Sequence, residues 1–255
     1  MSSSTMSQSN GPENPAISVV VPVRNEAGNV APLVAEIAAA LQGRAFEIVY
    51  VDDGSQDATA DELRGLMAHH PWLRQIRHAQ SCGQSAAVRT GVAAARAPVV
   101  VTLDGDGQND PAYLPALVAA LEAGAPRLGL IAGQRVGRKS TGFKRFQSRI
   151  ANSVRSAVLK DGTRDTGCGL KAFPRDVFLA LPYFDGLHRF LPALVRRDGF
   201  DVGYVDVVDR PRRHGTSNYG FFDRLWIGIL DLAGVWWLIR RKKRVPQSEE
   251  ITLAR

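Results

Sequence analysis

The chain has 255 residues, of which 45 % are hydrophobic and 22 % charged, an ordinary globular composition that leaves room for one α/β-sized domain or one domain with a small appendage. Its formal net charge is +7, but residues 240–244 (RRKKR) supply five of those charges, so the basic excess is local and argues against a nucleic-acid partner. Cys82 and Cys168 are the only cysteines; they lie far apart in no metal-like spacing, which provides no disulfide framework and suits a reducing, cytoplasmic compartment.

Residues 1–15 (MSSSTMSQSNGPENP) are rich in Ser, Asn and Pro and lack the apolar core of a secretion signal, so they read as a disordered leader. From Ile17 onward, short β-branched runs alternate with longer Ala/Leu-rich stretches. The runs are ISVVVPV (17–23), FEIVYVDD (46–53), LRQIRHA (73–79), PVVVTLD (98–104) and LGLIAG (128–133). Helices are expected near 27–42, 57–70, 84–96 and 111–123, with Asp57 and Asp110 as N-caps and Pro111 in a first helical position. Strands alternating with helices specify an α/β fold with a mostly parallel sheet covered on both faces.

In such sheets ligands bind beyond the carboxyl ends of the strands. Three of those ends are acidic here: VPVRNE, VDDGSQDAT and LDGDGQNDP. In extended backbone, positions i and i+2 point to the same side, so Asp104 and Asp106 are expected to face one ion. Mg²⁺ or Mn²⁺ takes such hard oxygen ligands together with substrate phosphates. Gly105 and Gly107 allow a tight turn and close approach of a ligand. A calcium loop is excluded, because its sixth and twelfth positions hold Asn109 and Pro115 instead of Gly and Glu. A bare Asp/Gly turn after a strand is the competing interpretation.

Six segments, VPVRNE, VDDGSQDAT, LDGDGQNDP, DTGCGLKAF, GLHRFLPAL and RRHGTSNYG, occur in an order and at separations that resemble the family 2 glycosyltransferases. More narrowly, they resemble the branch that loads sugars onto polyprenyl phosphates, of which the dolichol-phosphate mannosyltransferases are members. The similarity spans about residues 16–220. It implies a GT-A catalytic domain over that range and a nucleotide-sugar donor, GDP- or UDP-linked. It also implies roles for single residues. Pro22, Arg24 and Glu26 would line the nucleotide pocket, Arg24 standing where the family often has Tyr. Val51 and Asp53 would meet base and ribose. Asp104, Asp106 and Gln108 would hold metal and diphosphate, with Gly105 between them. Arg135, Arg149 and Ser153 would grip the acceptor phosphate, and Asp165 matches a recurrent family aspartate. Arg212 is the cation best placed to fold over the donor diphosphate, while Asn218 stands where many relatives have Lys.

The residues add independent support on the acceptor side. Arg149 and Ser153 are spaced i, i+4 on an expected helix and so reach one point, and Arg presents a planar donor fork suited to phosphate oxygens. Arg138, Lys139, Lys144 and Arg145 fit a solvated basic face equally well. Cys168 reads as a small packed residue, and His188 as a residue beginning an apolar helix. A phosphate monoester is already anionic at pH 7, its second pKa being about 6, so no strong general base is needed, and the sequence has no evident Ser-His-Asp or Cys-His set.

Residues 225–239 (LWIGILDLAGVWWLI) are apolar, interrupted by Asp231 and followed by the basic block. Fifteen helical residues span about 22 Å, short of the roughly 30 Å hydrocarbon layer. Residues 221–255 are therefore expected to form an amphipathic, interfacial membrane anchor, with Trp at headgroup level and cations against anionic lipid, the alternative being a buried core or oligomer-contact helix. The expected activity is metal-dependent, inverting transfer of a mannose-type sugar from a nucleotide sugar to a polyprenyl (dolichyl-type) phosphate at the cytoplasmic membrane face. The alternative is a glycosyltransferase acting on a soluble or other acceptor.

Overall fold

Seven strands pair into one sheet in the order β3-β2-β1-β4-β6-β5-β7 in a computed structural model, which describes residues 14–136, 155, 157–163, 165–211 and 221–241, with backbone alone over 221–227. The strands are β1 (Ile17–Val23), β2 (Phe46–Asp52), β3 (Leu73–Arg77), β4 (Val99–Thr102), β5 (Leu128–Arg135), β6 (Lys171–Pro174) and β7 (Asp201–Val207). The helices are α1 (Val30–Ala40), α2 (Thr59–Met67), α3 (Gln84–Ala94), α4 (Leu114–Ala123), α5 (Arg175–Ala180), α6 (Leu191–Arg197) and α7 (Phe221–Arg240). All neighbouring strands run parallel except around β6, which is antiparallel to both β4 and β5. The expected mixed α/β fold with a mostly parallel sheet is therefore present.

The continuous apolar runs arise because both sheet faces are covered. Ile17, Val19, Val21 and Val23 of β1 pack with α1, α4 and Leu63 of α2, whereas Val20 joins Val49, Val51 and Val100 against α3, α5 and α6. Alternate residues of one strand thus serve two cores. Asp110 caps the short 3-10 turn ahead of α4 by accepting from the Ala112 N–H, with Pro111 following it. Asp57 accepts from the Thr59 N–H at the start of α2.

β6 and β7 lie outside the runs marked in the sequence. KAFP is only four residues and opens on a lysine, and DVGYVDV is interrupted by Gly203 and two aspartates, so neither shows a continuous apolar run.

α7 lies along α6. Val235 is buried in the second core, Leu232, Leu238 and Ile239 pack against that core, and Arg197 Nε donates to the Leu238 carbonyl. Its other side exposes Ile229, Leu230, Trp236 and Trp237. Arg240 stacks on Trp236 at 3.9 Å and Arg241 on Trp237 at 5.4 Å. Among the described residues no helix is long and apolar enough to cross a membrane.

Candidate active site

The loops after β1 and β2 are laced together. Asn25 N–H donates to Ser55 Oγ, Glu26 N–H to Thr59 Oγ1, Ala27 N–H to Asp57 Oδ2 and Gly28 N–H to Glu62. Pro22 borders a cleft that also contains Asp104, Arg24 is exposed, and Glu26 accepts from Asn29 Nδ2.

The acidic end of β2 is hydrogen-bonded to the loops around it. Asp52 accepts from the Ser55 N–H in a turn. Asp53 accepts from His78 Nδ1, Ser81 Oγ and the N–H groups of Cys82 and Gly83, at 2.7–2.9 Å. Four donors on two oxygens use the capacity of a carboxylate. Burial raises the Asp53 pKa, but these hydrogen bonds outweigh it and hold the pKa below its ordinary value. The Val51 side chain is fully buried beside Gly91. Neither residue is among those bordering the cleft beside Asp104: Val51 packs in the core, and Asp53 is hydrogen-bonded to the loop leading into α3.

β4 ends at Thr102, and residues 104–107 form a turn with Gly107 at φ +73°. The i, i+2 logic of an extended strand therefore does not apply at Asp104 and Asp106. Within this turn Asp106 accepts from the Gln108 N–H, and its charge acts on Asp104. Gly105 is buried against Val23 and the Pro22 carbonyl.

Asp104 is fixed from two sides. Its N–H donates to Asn109 Oδ1, and its Oδ1 accepts from Gln84 Nε2 at 2.8 Å. A Cβ on Gly169 would lie 2.5 Å from both Asp104 Oδ2 and Asn109 Oδ1, so only glycine permits this approach. An edge of Asp104 reaches solvent, yet protein surrounds it densely. Burial first, then the charges of Asp106 and Asp209, push its pKa up to about 6 against the opposing pull of Lys171 and Arg135. Two hard, mutually repelling oxygen donors at a substrate cleft fit a divalent cation, which would relieve that repulsion. Gln108 lies beside them, with its carbonyl accepting from the Arg210 N–H.

A different trio, Asp53, His78 and Cys82, has ligand atoms within 4.8 Å of one another. Both ring nitrogens of His78 are engaged, on Asp53 and Thr90 Oγ1, and Asp53 is saturated. This trio is a hydrogen-bond network.

At the end of β5, Arg135 reaches Asp165 through Nε at 2.6 Å and through the second guanidinium nitrogen at 2.8 Å, and reaches Asp209 at 3.2 Å. All three side chains are less than a fifth exposed. Burial raises the Asp165 pKa, but the Arg135 guanidinium dominates and lowers it. A guanidinium carries five N–H donors. Three are used here, and the other two have no partner among the described residues. Arg149, Ser153 and Arg212 lie outside the described residues.

Several groups at the cleft were not marked in the sequence. Asn109 bridges the Asp104 backbone and Asp209. Lys171, 4 % exposed, donates to the Cys168 carbonyl and lines the cleft with Gln84, Thr102, His188 and Arg189. Burial pulls Lys171 below the ordinary lysine range, with Cys168, Asp104 and Asp165 opposing. The available signal for Lys171 was its position in DTGCGLKAF, where it is the lone cation of an otherwise small or apolar stretch.

Comparison with known proteins agrees with this arrangement. Residues 18–181 match the model of glycosyl transferase family 2. The chain is 35 % identical over 234 residues to a dodecaprenyl-phosphate galacturonate synthase of Rhizobium johnstonii, covering 89 % of this chain and 68 % of that protein. It is 33 % identical over 208 residues to an undecaprenyl-phosphate 4-deoxy-4-formamido-L-arabinose transferase of Edwardsiella ictaluri, covering 80 % of this chain and 63 % of that protein. The chain thus spans about two thirds of the length of these curated relatives. The fold is similar to that of a glucosyl-3-phosphoglycerate synthase from Mycobacterium tuberculosis in complex with UDP, at 21 % identity and a TM-score of 0.66, over 92 % of this chain and 82 % of that one. A complex of the same protein with Mn²⁺, UDP and glucosyl-3-phosphoglycerate aligns over the same shares at 22 % identity with a TM-score of 0.65. The sequence match and the GT-A-like sheet lead to one conclusion: the chain belongs to glycosyl transferase family 2.

Proposed function

We propose that the protein transfers a sugar from a nucleotide sugar to a polyprenyl phosphate, with inversion at the anomeric carbon, at the cytoplasmic face of a membrane. The observation that supports this reading is a carboxylate-bearing turn together with an ion-paired arginine. The Asp104/Asp106 pair would suit a cation-bound diphosphate, and Arg135, held by Asp165 and Asp209, has two N–H groups without a partner among the described residues that would suit an anionic acceptor. The names of the similar curated proteins, a galacturonate synthase and a formamido-arabinose transferase acting on polyprenyl phosphates, support the acceptor class. UDP, present in the similar solved structures, is the first candidate nucleotide, with GDP as the second.

In this mechanism an oxygen of the acceptor phosphate attacks the anomeric carbon, the bond from that carbon to the diphosphate oxygen breaks, and the nucleoside diphosphate leaves with the electron pair. Arg135 orients the acceptor oxygen, and Asp165 and Asp209 hold the guanidinium against rotation. Gln84 and Asn109 keep Asp104 aimed at the donor. A divalent cation held by Asp104 and Asp106, when bound, neutralises charge on the leaving diphosphate, worth several kcal/mol. The acceptor, with a second pKa of about 6, is already anionic at neutral pH, so no residue need remove its proton. The exposed Ile229, Leu230, Trp236 and Trp237 of α7, with the cations that follow, support docking on anionic lipid.

The test is transfer of radiolabelled sugar from a panel of UDP- and GDP-linked donors, GDP-mannose included, into an organic-extractable polyprenyl phosphate. Label in the organic phase, lost on chelation and in Asp106→Ala, is the expected result. Metal-dependent donor binding with label reaching only a water-soluble acceptor would refute the lipid acceptor.

A further inference from the structure

Beside Asp104 lies a cleft of about 110 Å³ bordered by Pro22, Gln84, Thr102, Lys171, His188 and Arg189. Ligand pockets for whole small molecules are roughly 300–1,000 Å³, so this space takes one substituent of a sugar.

Its polar lining holds the donors Lys171, His188, Arg189 and Gln84, the hydroxyls of Thr102 and Thr166, and one carboxylate, Asp104. Lys171 is buried, and one of its three ammonium hydrogens is engaged by the Cys168 carbonyl. The hydrogen bonds of His188 fix its tautomer. Ser85 Oγ accepts from the Gly186 N–H at 3.0 Å and lies 2.7 Å from His188 Nδ1. Ser85 is buried, and its hydroxyl finds an acceptor only if Nδ1 is unprotonated, which leaves the hydrogen on Nε2. Arg189 stands exposed at the rim. The carboxylates whose charges reach Lys171 are Asp104 and Asp165, and both have other tasks, Asp165 on Arg135 and Asp104 toward the donor's cation. A neutral sugar hydroxyl offers these donors one oxygen and no charge, whereas a carboxylate offers two oxygens and one compensating charge.

We propose that this cleft seats the C6 carboxylate of a uronic-acid donor against Lys171, His188 and Arg189, so that the enzyme transfers hexuronic acids in preference to neutral hexoses. The proposal rests on the nucleotide-sugar transferase reading above and specifies its donor. Lys171 reaches the cleft because β6 runs antiparallel to β4. Its first residue pairs with Thr102, two positions before Asp104.

The test is equilibrium binding, with Mn²⁺ present, of donor pairs that differ only at C6: UDP-glucose against UDP-glucuronate, UDP-galactose against UDP-galacturonate, and GDP-mannose against GDP-mannuronate. For the preferred pair the acid is expected to bind about 10- to 100-fold more tightly, the range for a charged hydrogen bond. Lys171→Met should collapse that ratio toward one, and Lys171→Arg should retain most of it. Equal or weaker binding of the acids in the wild-type protein would overturn the proposal, a result that needs no variant to fold. An unchanged ratio in a folded Lys171→Met would do the same, as would a change confined to the KM of the polyprenyl phosphate, which would assign the cation to the acceptor. Absence of metal-dependent binding by every donor would remove the transferase reading together with this one, whereas acid-selective binding without lipid transfer would remove only the acceptor assignment.

Discussion

Asp165→Asn isolates the clamp on Arg135 with little change of shape. The aspartate gives one oxygen to Arg135 Nε and to the Arg135 N–H, and the other to the guanidinium and to the Gly167 N–H. Removing one member of a fully buried ion pair costs about 3–5 kcal/mol. Here the side chains are 14 % and 18 % exposed, Asp209 still faces the guanidinium, and asparagine keeps one acceptor. The expected loss is therefore about 2 kcal/mol, which for a domain of this size lowers Tm by about 4–8 °C. Because a freed guanidinium presents its donors less reliably, acceptor KM should rise about tenfold or more, while donor KM stays within about twofold. Thermal denaturation and steady-state kinetics on the same preparation read both quantities. A variant with unaltered Tm and acceptor KM would refute the clamp, and one whose defect fell on the donor would show that Arg135 serves the wrong substrate in this reasoning.

Gly169→Ala places a methyl 2.5 Å from Asp104 Oδ2 and Asn109 Oδ1, and Mn²⁺ binding followed by electron paramagnetic resonance should weaken at least about tenfold; unchanged affinity would mean that the Asp104 carboxylate is not held as described. His188, pushed down to about 3 by burial and by Lys171 and Arg189, stays neutral in the fold while an unfolded histidine protonates below about 6.5. Between those values the unfolded chain binds more protons, so stability falls as pH drops, on the order of 2 kcal/mol from pH 8 to 5. Urea denaturation of the wild type and His188→Gln should show a distinctly shallower pH dependence in the variant, and parallel curves would contradict the assignment. Trp236 and Trp237 are 40 % and 52 % exposed, so Trp236→Ser with Trp237→Ser should leave Tm nearly unchanged yet cut partition onto anionic vesicles about tenfold or more; undiminished vesicle binding would take α7 out of the membrane contact.

What could be seen in the sequence was whatever repeats along the chain with a local period. Apolar runs such as ISVVVPV mark strands covered on both faces, and their acidic ends mark where a parallel sheet opens to a ligand. Asp104 and Asp106 emerge from that rule even though the strand stops earlier, at Thr102, and a turn with glycine at positive φ carries both. Asp53 lies at such an end as well, and its hydrogen bonds to residues 78–83 of a later loop are set by tertiary placement that no local period records.

Lys171 escaped for a deeper reason. The rule directs attention to residues that follow a parallel strand, but β6 is reversed, so the residue that begins it lies at the ligand end of β4. That inversion adds a second cation to the one Arg135 brings from the end of β5. In a sheet built only of parallel strands, every side chain at the binding edge comes from a loop that follows a strand, and here those loops bring Asp104, Asp106, Asp165 and Asp209 toward one another. One antiparallel strand inserts a cation from within the sheet, held by main-chain pairing on both sides, and a cation held that firmly is a stiffer partner for a substrate's charge than one carried on a loop.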